Sequence, residues 1–363
     1  MPAKKQHYVP QFLLRRFAVE ESGRSRISVY DIDRIQYRPN QNIRDVCAGN
    51  YVYDTDASFE QFLSEHIETP ASMDIERLAQ AHEPVNPKPT TELLRFLLVQ
   101  LFRTRQSYEN GLAFMNAGMQ TMFAELARLN GHDVEAARRL RISHSEPRAM
   151  LAYLAAGAAL NWRLISDLRV ALVVNRTATE FILSDHPVFQ YNWYLRDSRE
   201  LGASSITARG VQFFLPISPS VTCCLYDPTV YLYREASTGK IVNASEEDVC
   251  TLNAFQAINA GGLLMARASS MHGTLQALGR RYADARAFTE KAMHTQATIR
   301  ADGTLRSLHV TERRQERLPA MPSFVKVKNK VRRQLIRCVE RNPEFVRTHE
   351  AAVELMRMRH SLD

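Results

Sequence analysis

His7 and Tyr8, an imidazole and a phenol at the start of the chain, are placed by type to do chemistry. His7 can exchange a proton near neutral pH. The run that follows, Val9-Pro10-Gln11-Phe12-Leu13-Leu14-Arg15-Arg16-Phe17, reads as an amphipathic helix entered through a rigid Pro turn. Termini fray unless something ties them down, so an opening this rich in aromatic and aliphatic residues is expected to be docked. Further along, Ser184-Asp185-His186-Pro187 ends the apolar run Phe181-Ile182-Leu183. At a strand end the sheet fixes the backbone and the loop opens a site, so Asp185 and His186 offer a carboxylate and an imidazole for acid–base or metal-binding work. Neighbours on a strand point to opposite faces and need not cooperate. The structural alternative is a turn in which Asp185 accepts local backbone N–H groups ahead of Pro187.

Arg103 follows Gln100 by three on the apolar run Leu93-Leu-Arg-Phe-Leu-Leu-Val-Gln-Leu-Phe-Arg, so the two share a helix face, with Arg95 near the same azimuth. Polar groups in so apolar a helix must be satisfied or must line a cavity. Arg103 either presents a planar fork to a phosphate or carboxylate, or ties down a carboxylate from the sheet. Glu60 and Glu68, eight apart, can fall on one helix face, exposed or sharing a metal or base role. Pro216-Ile-Ser218-Pro219 puts a serine at another strand end, but no G-x-S-x-G elbow surrounds it, so a turn is the better reading. Asn253 is read as a structural amide satisfying buried backbone. No P-loop, G-x-G-x-x-G, H-E-x-x-H, D-x-D-x-D-G or clear PD-(D/E)-x-K arrangement occurs, and the sequence names neither a cofactor nor a metal site.

These residues imply the following frame. Residues 27–33 and Asn50–Asp54 read as short strands. Ser58 starts a helix with Phe59, Phe62 and Leu63 inward, which Pro70 cuts or bends. After the Pro-rich hinge 82–90 comes one long helix from Thr91 to about Asn130, stopped at Asn130-Gly131. Helices follow at Val134–Ile142 and Glu146–Leu168, the second Ala-rich and so closely packed. Val170–Val174, Phe181–Leu183, Val211–Leu215 and Val221–Tyr226 read as strands of a buried sheet. Glu246–Ala257 is a helix starting from Ser245, and Gly262–Ala266 closes the sheet. Residues 275–299 read as polar helix, Val325–Glu340 as a basic amphipathic helix, with a last helix after Pro343. The fold class is α+β: a helical half plus a small mixed sheet, followed by a basic helical C-terminal tail. Residues 1–300 form the expected single domain and 301–363 the extension.

Charge marks off that tail. Residues 306–363 hold 14 Lys/Arg against 7 Asp/Glu, and residues 1–305 hold 33 against 32. A basic segment on a nearly neutral body suits a phosphate backbone or an acidic partner surface, with Lys326, Lys328, Lys330, Arg332 and Arg333 as the contacts; a solvated helix face is the alternative. No run approaches the roughly 18 apolar residues of a membrane span. The opening residues lack the apolar core of a signal peptide, and the 5 cysteines include no C-x-x-C. A reducing cytoplasm is therefore expected.

The motifs taken together resemble a bacterial and phage family known as domain of unknown function 4238. They are K-Q-H7-Y8-V9-P10-Q11-F12 with Phe17, then Val29-Tyr30-Asp31, Asn50-Tyr51, Glu60 and Glu68. Gln100-x-x-Arg103-Thr104, Phe181-Ile-Leu-Ser184-Asp185-x-Pro187, Pro216-Ile-Ser218-Pro219, Leu252-Asn253 and the 262–268 strand continue the series. The resemblance spans about residues 4–270, leaves the basic tail outside, and has His186 where the pattern carries Asn. It groups His7, Tyr8, Gln100, Arg103 and Asp185, and implies an accessory or effector protein of mobile elements or phage defence.

Two functions are expected on these grounds. One is a nuclease-like enzyme acting on RNA or DNA, with His7, Asp185 and Arg103 as catalytic groups and Tyr8, Gln100 and the tail cations contacting substrate. The other is a non-catalytic module that binds nucleic acid, a protein partner or a second copy of the chain, the same residues forming a buried polar network.

Overall fold

The computed structural model describes residues 5–80, 86–141, 147–198, 201–233, 235, 241–267 and 269–286, and parts of the chain from there to residue 360. The fold is α+β. Its centre is the helix Thr91–Phe102, which buries Leu93, Leu94, Phe96, Leu97, Leu98, Val99, Gln100 and Leu101. A helix apolar on nearly every side belongs inside a core. The Ala-rich helix Pro147–Leu160 lies against it, with Ala155 and Ala158 letting the backbones approach.

A five-stranded sheet runs in the order Val242–Ala244, Arg169–Asn175, Val221–Tyr226, Gln212–Ser218, Phe189–Tyr191, antiparallel except for the first pair. A second sheet pairs Arg24–Asp31 with Val19–Glu21, Gln36–Asn42 and Leu263–Ala266, which in turn pairs with Leu183–Ser184. The amino terminus forms a small ladder of its own, Lys5–His7 against Ala48–Asn50.

Several expected elements are redrawn. The long helix from Thr91 ends at Phe102 and a new one begins at Arg105, running to Leu129. Thr104 makes the break: its extended backbone leaves the helix, and its hydroxyl accepts the Ser107 N–H as an N-cap. Pro70 does not cut its helix. The segment Ser64–Glu68 between Ser58–Leu63 and Thr69–Ala79 is a wide π turn, and the proline sits in the first turn after it. Ser58 is not the cap; Ala57 is, at φ 62°, with the Asp54 and Asp56 carboxylates taking the first N–H groups. Strand Ala48–Asn50 stops where residues 50–54 were expected to extend, because Tyr51 turns at φ 54°.

Of the run Phe181–Leu183 only Leu183 lies in a strand, Leu183–Ser184. A buried amide ladder on the helix Glu246–Asn259 replaces the missing sheet bonds. Asn253 takes the Ile182 N–H and donates to the Glu180 carbonyl, Gln256 takes the Ser184 N–H and donates to Pro187, and Asn259 donates to His186 and Val188. Asn253 is thus the structural amide expected of it, and Ser245 closes a capping box with Asp248.

The C-terminal region departs furthest. The polar helix expected over 275–299 is a helix only at His272–Arg281, followed by the strand Glu290–His294 paired with His309–Arg313. The basic helix expected over Val325–Glu340 is a strand, Val325–Val327 against Tyr231–Tyr233, and a short helix Asn329–Arg332. Val325 and Val327 alternate with Lys326, a period of two. Arg341, its side chain almost wholly buried, grips Asp167 through Nε and Nη2 at 2.7 and 2.9 Å and donates to the Leu164, Ile206 and Ala208 carbonyls. The helix Pro343–His360 follows. No helix among the described residues is long and apolar enough to cross a membrane.

Candidate active site at the amino terminus

The strand Lys5–His7 carries His7 into the interior, where the imidazole is buried. Burial works against the charged form of the ring and the Ile43 backbone favours it, while Nε2 has no partner among the described residues. The neighbouring backbone is held from three sides. The Tyr8 carbonyl accepts from Gln100 Nε2 at 2.9 Å and from Arg103 Nε at 3.1 Å, and the Tyr53 hydroxyl donates to the His7 carbonyl at 3.3 Å. The His7 N–H donates to Glu60 Oε1 at 3.3 Å.

Arg103 has no exposed surface, and its Nη1 is 2.7 Å from Glu68 Oε1. It therefore ties a carboxylate, as one of its two readings held, but a helix supplies that carboxylate and not the sheet. The π turn makes this geometry possible. Eight residues of α-helix overshoot two turns by about 80°. The wide turn with its i→i+5 bonds absorbs that excess, so Glu60 and Glu68 line the same cavity.

That cavity, about 480 Å³, is bounded by His7, Gln11, Phe12, Glu60, Glu65 and Glu68 among others. Four buried polar atoms on these side chains lack a partner among the described residues: His7 Nε2 and Glu60 Oε2, whose residues line the cavity, and Gln100 Oε1 and Arg103 Nη2, whose side chains hold the Tyr8 carbonyl. Orphaned buried polar atoms are rare, and two of these four belong to residues that line the cavity. Burial favours the neutral forms of both titratable groups. It pushes Glu60 up to about 7, against the pull of Arg103, and pulls His7 below its usual range.

Asp185 lies elsewhere. Its Oδ1 accepts the Gly261 N–H at 2.7 Å and the Gly262 N–H at 3.3 Å, and its carboxyl forms part of a second cavity of about 510 Å³. The two cavities share no lining residue; His7 faces the first and Tyr8 the second. The structure thus joins His7, Gln100 and Arg103 with Glu60 and Glu68, and places Asp185 with the Tyr8 side chain. Burial pushes both the Tyr8 hydroxyl and the Cys47 thiol upward. His186 turns away from both cavities, its Nδ1 2.7 Å from the Thr104 hydroxyl.

The cations Lys326, Lys328, Lys330, Arg332 and Arg333 are all exposed, on the strand and short helix described above. Lys328 donates to the Pro228 carbonyl at 2.6 Å. Among the described residues no group of three or more His, Cys, Asp and Glu side chains is placed to hold a metal ion. Sequence reasoning missed Tyr53, Gln106 and Asp33 at these sites. Asp31 and Asp33 close the strand Arg24–Asp31, so the strand-end argument applied to Asp185 would have found them.

Residues 5–270 match the family described as a protein of unknown function (DUF4238), and the chain belongs to it. No curated protein and no solved structure matches the chain.

Proposed function

We propose that this member of the DUF4238 family is a nucleic-acid-processing, nuclease-like enzyme whose acid–base pair is His7 and Glu60. The carrying observation is the set of unpartnered buried atoms at the first cavity, His7 Nε2 and Glu60 Oε2 foremost. A neutral imidazole and a carboxyl titrating near 7 suit complementary proton transfers. In a phosphodiester cleavage, His7 Nε2 takes the proton of the attacking hydroxyl or water, and protonated Glu60 gives one to the leaving oxygen. Arg103 and Gln100 act as positioning residues: both hold the Tyr8 carbonyl, and Arg103 also holds Glu68. The exposed cations of residues 326–333 supply backbone contacts for RNA or DNA. A cytoplasmic effector of phage defence or of a mobile element is the setting this proposal assumes.

The second reading, a non-catalytic module that binds nucleic acid or protein, is favoured by the complete burial of Arg103. One experiment separates the two: labelled tRNA, single-stranded RNA and duplex DNA are incubated with the protein in Mg²⁺, Mn²⁺ or EDTA. The catalytic reading expects cleavage that falls at least about 100-fold in His7→Gln and in Glu60→Gln, with melting temperatures near that of the parent. Salt-sensitive binding without cleavage moves the assignment to the module, and cleavage untouched by both substitutions refutes the site.

A further inference from the structure

The second cavity has a chemistry of its own, independent of the acid–base pair because no wall is shared. Its floor is built of oxygen acceptors packed around glycine backbone. Asp185 Oδ1 is committed to the Gly261 and Gly262 N–H groups, while Oδ2 makes no protein hydrogen bond among the described residues. A Cβ on Gly261 would sit 3.1 Å from Asp185 Oδ2 and 3.1 Å from Gln106 Oε1, so these two acceptors flank one point. Gln106 donates its Nε2 to Asn110 Oδ1 at 2.8 Å, which fixes its amide with the oxygen toward the glycines. A Cβ on Gly262 would likewise sit 3.1 Å from Asp33 Oδ2.

Arg38 and Arg105 line the same cavity beside Asp31 and Glu109, and Arg38 Nε is buried with no partner among the described residues. Arg38 is held only loosely, 3.5 Å from Asp31, and Arg105 is an exposed side chain with donors left beyond its single bond to Glu109. Oxygen acceptors at the glycines, with arginine donors elsewhere on the same wall, fit a molecule with N–H groups at one end and an anion at the other. A purely cationic ligand would meet the arginines, and a simple anion would meet the carboxylates.

We propose that this cavity binds a guanine nucleotide, its N–H edge on Asp185 Oδ2 and Gln106 Oε1 and its phosphate on Arg38 and Arg105. Guanine offers more N–H donors along one edge than adenine, cytosine or uracil, and unstacked bases are read on such edges. The nucleotide is either free or a residue of an RNA strand, and the chemistry at the pocket is the same. A carboxyl that burial raises to about 6 strengthens as an acceptor when it ionises, so binding tightens as the pH rises through that range.

The test is isothermal titration of the full chain at pH 7.5 with guanosine, inosine and uridine monophosphates, and with a short single-stranded RNA containing guanosine or inosine at one position. Guanosine monophosphate is expected to bind, the inosine form more weakly, and the uridine form not measurably. Asp185→Asn, which keeps an oxygen for the glycine N–H groups, and Gln106→Leu should each weaken binding about tenfold or more. Guanosine dependence seen only with the RNA identifies a strand residue as the ligand. Absence of binding to both probes overturns the proposal, as do equal affinity for the uridine form or unchanged affinity in a folded Gln106→Leu. His7→Gln should bind like the parent, so failure of the acid–base reading leaves this result standing.

Discussion

Glu60 and Asp185 are both carboxyl groups that burial pushes upward, to about 7 and about 6, yet they sit in their cavities in opposite ways. Asp185 is anchored: two glycine N–H groups converge on Oδ1, and its own N–H bonds to the Leu263 carbonyl at 3.1 Å. Among the described residues Glu60 has one weak acceptor bond, at 3.3 Å, and an oxygen with no partner. A raised carboxyl therefore does not by itself mark reactivity. Where backbone donors saturate one oxygen, the group fixes a turn and offers only its other edge. Where the donors are missing, the proton itself is available for exchange. The same contrast divides the residues around the His7–Tyr8 peptide, with Arg103 on the anchored side of the ledger and His7 Nε2 on the open one.

Arg103→Met should have the largest effect on that contrast. It strips Glu68 of its cation and the Tyr8 carbonyl of a donor, and breaking a buried pair typically costs about 3–5 kcal/mol. Urea denaturation reads it directly; a loss below about 1 kcal/mol would mean the fork is available to a ligand and not an anchor. Asp185→Ala should come next, at about 1–3 kcal/mol, because the Gly261 and Gly262 N–H groups lose their acceptor. An Asp185→Ala protein as stable as the parent would erase the distinction between the two carboxyls.

Sequence made some of this arrangement legible and hid the rest for identifiable reasons. The helix from Glu246 announced itself through Ser245 and Asp248, a local capping signal, and the docking of the amino terminus through Val9, Leu13, Leu14 and Phe17, all buried. Asn253 was visible as a structural amide, but its companions Gln256 and Asn259, at three-residue spacing on the same buried face, carried the same signal unread. The break at Arg103–Thr104 was written in Thr104 and Ser107, yet apolar periodicity runs straight across it. The strand at Val325–Val327 depends on Tyr231–Tyr233, almost a hundred residues away, and local basic composition says nothing of such a partner. The meeting of Glu60 with Glu68 depends on a π turn that no residue type specifies.

The finest distinction between the two carboxyls lies in their pH dependence. Glu60 is raised from 4.5 to about 7 on folding, so the folded state holds its proton more tightly than the unfolded chain. Its contribution to stability is then complete below pH 4.5 and is lost as the pH climbs through about 7. Asp185 has the same sign over a lower window, from 3.8 to about 6. Because the cavities share no wall, the two should add independently. In Glu60→Gln, which keeps an acceptor for the His7 N–H, the Asp185 fall from pH 3.8 to about 6 should persist while the additional Glu60 fall, reaching to about 7, disappears. Subtracting the two stability curves, measured by urea denaturation at half-unit pH steps, should leave a single transition centred on Glu60. If the Asp185 slope changes as well, the carboxyls communicate through the His7–Tyr8 peptide, and the two cavities form one titrating unit.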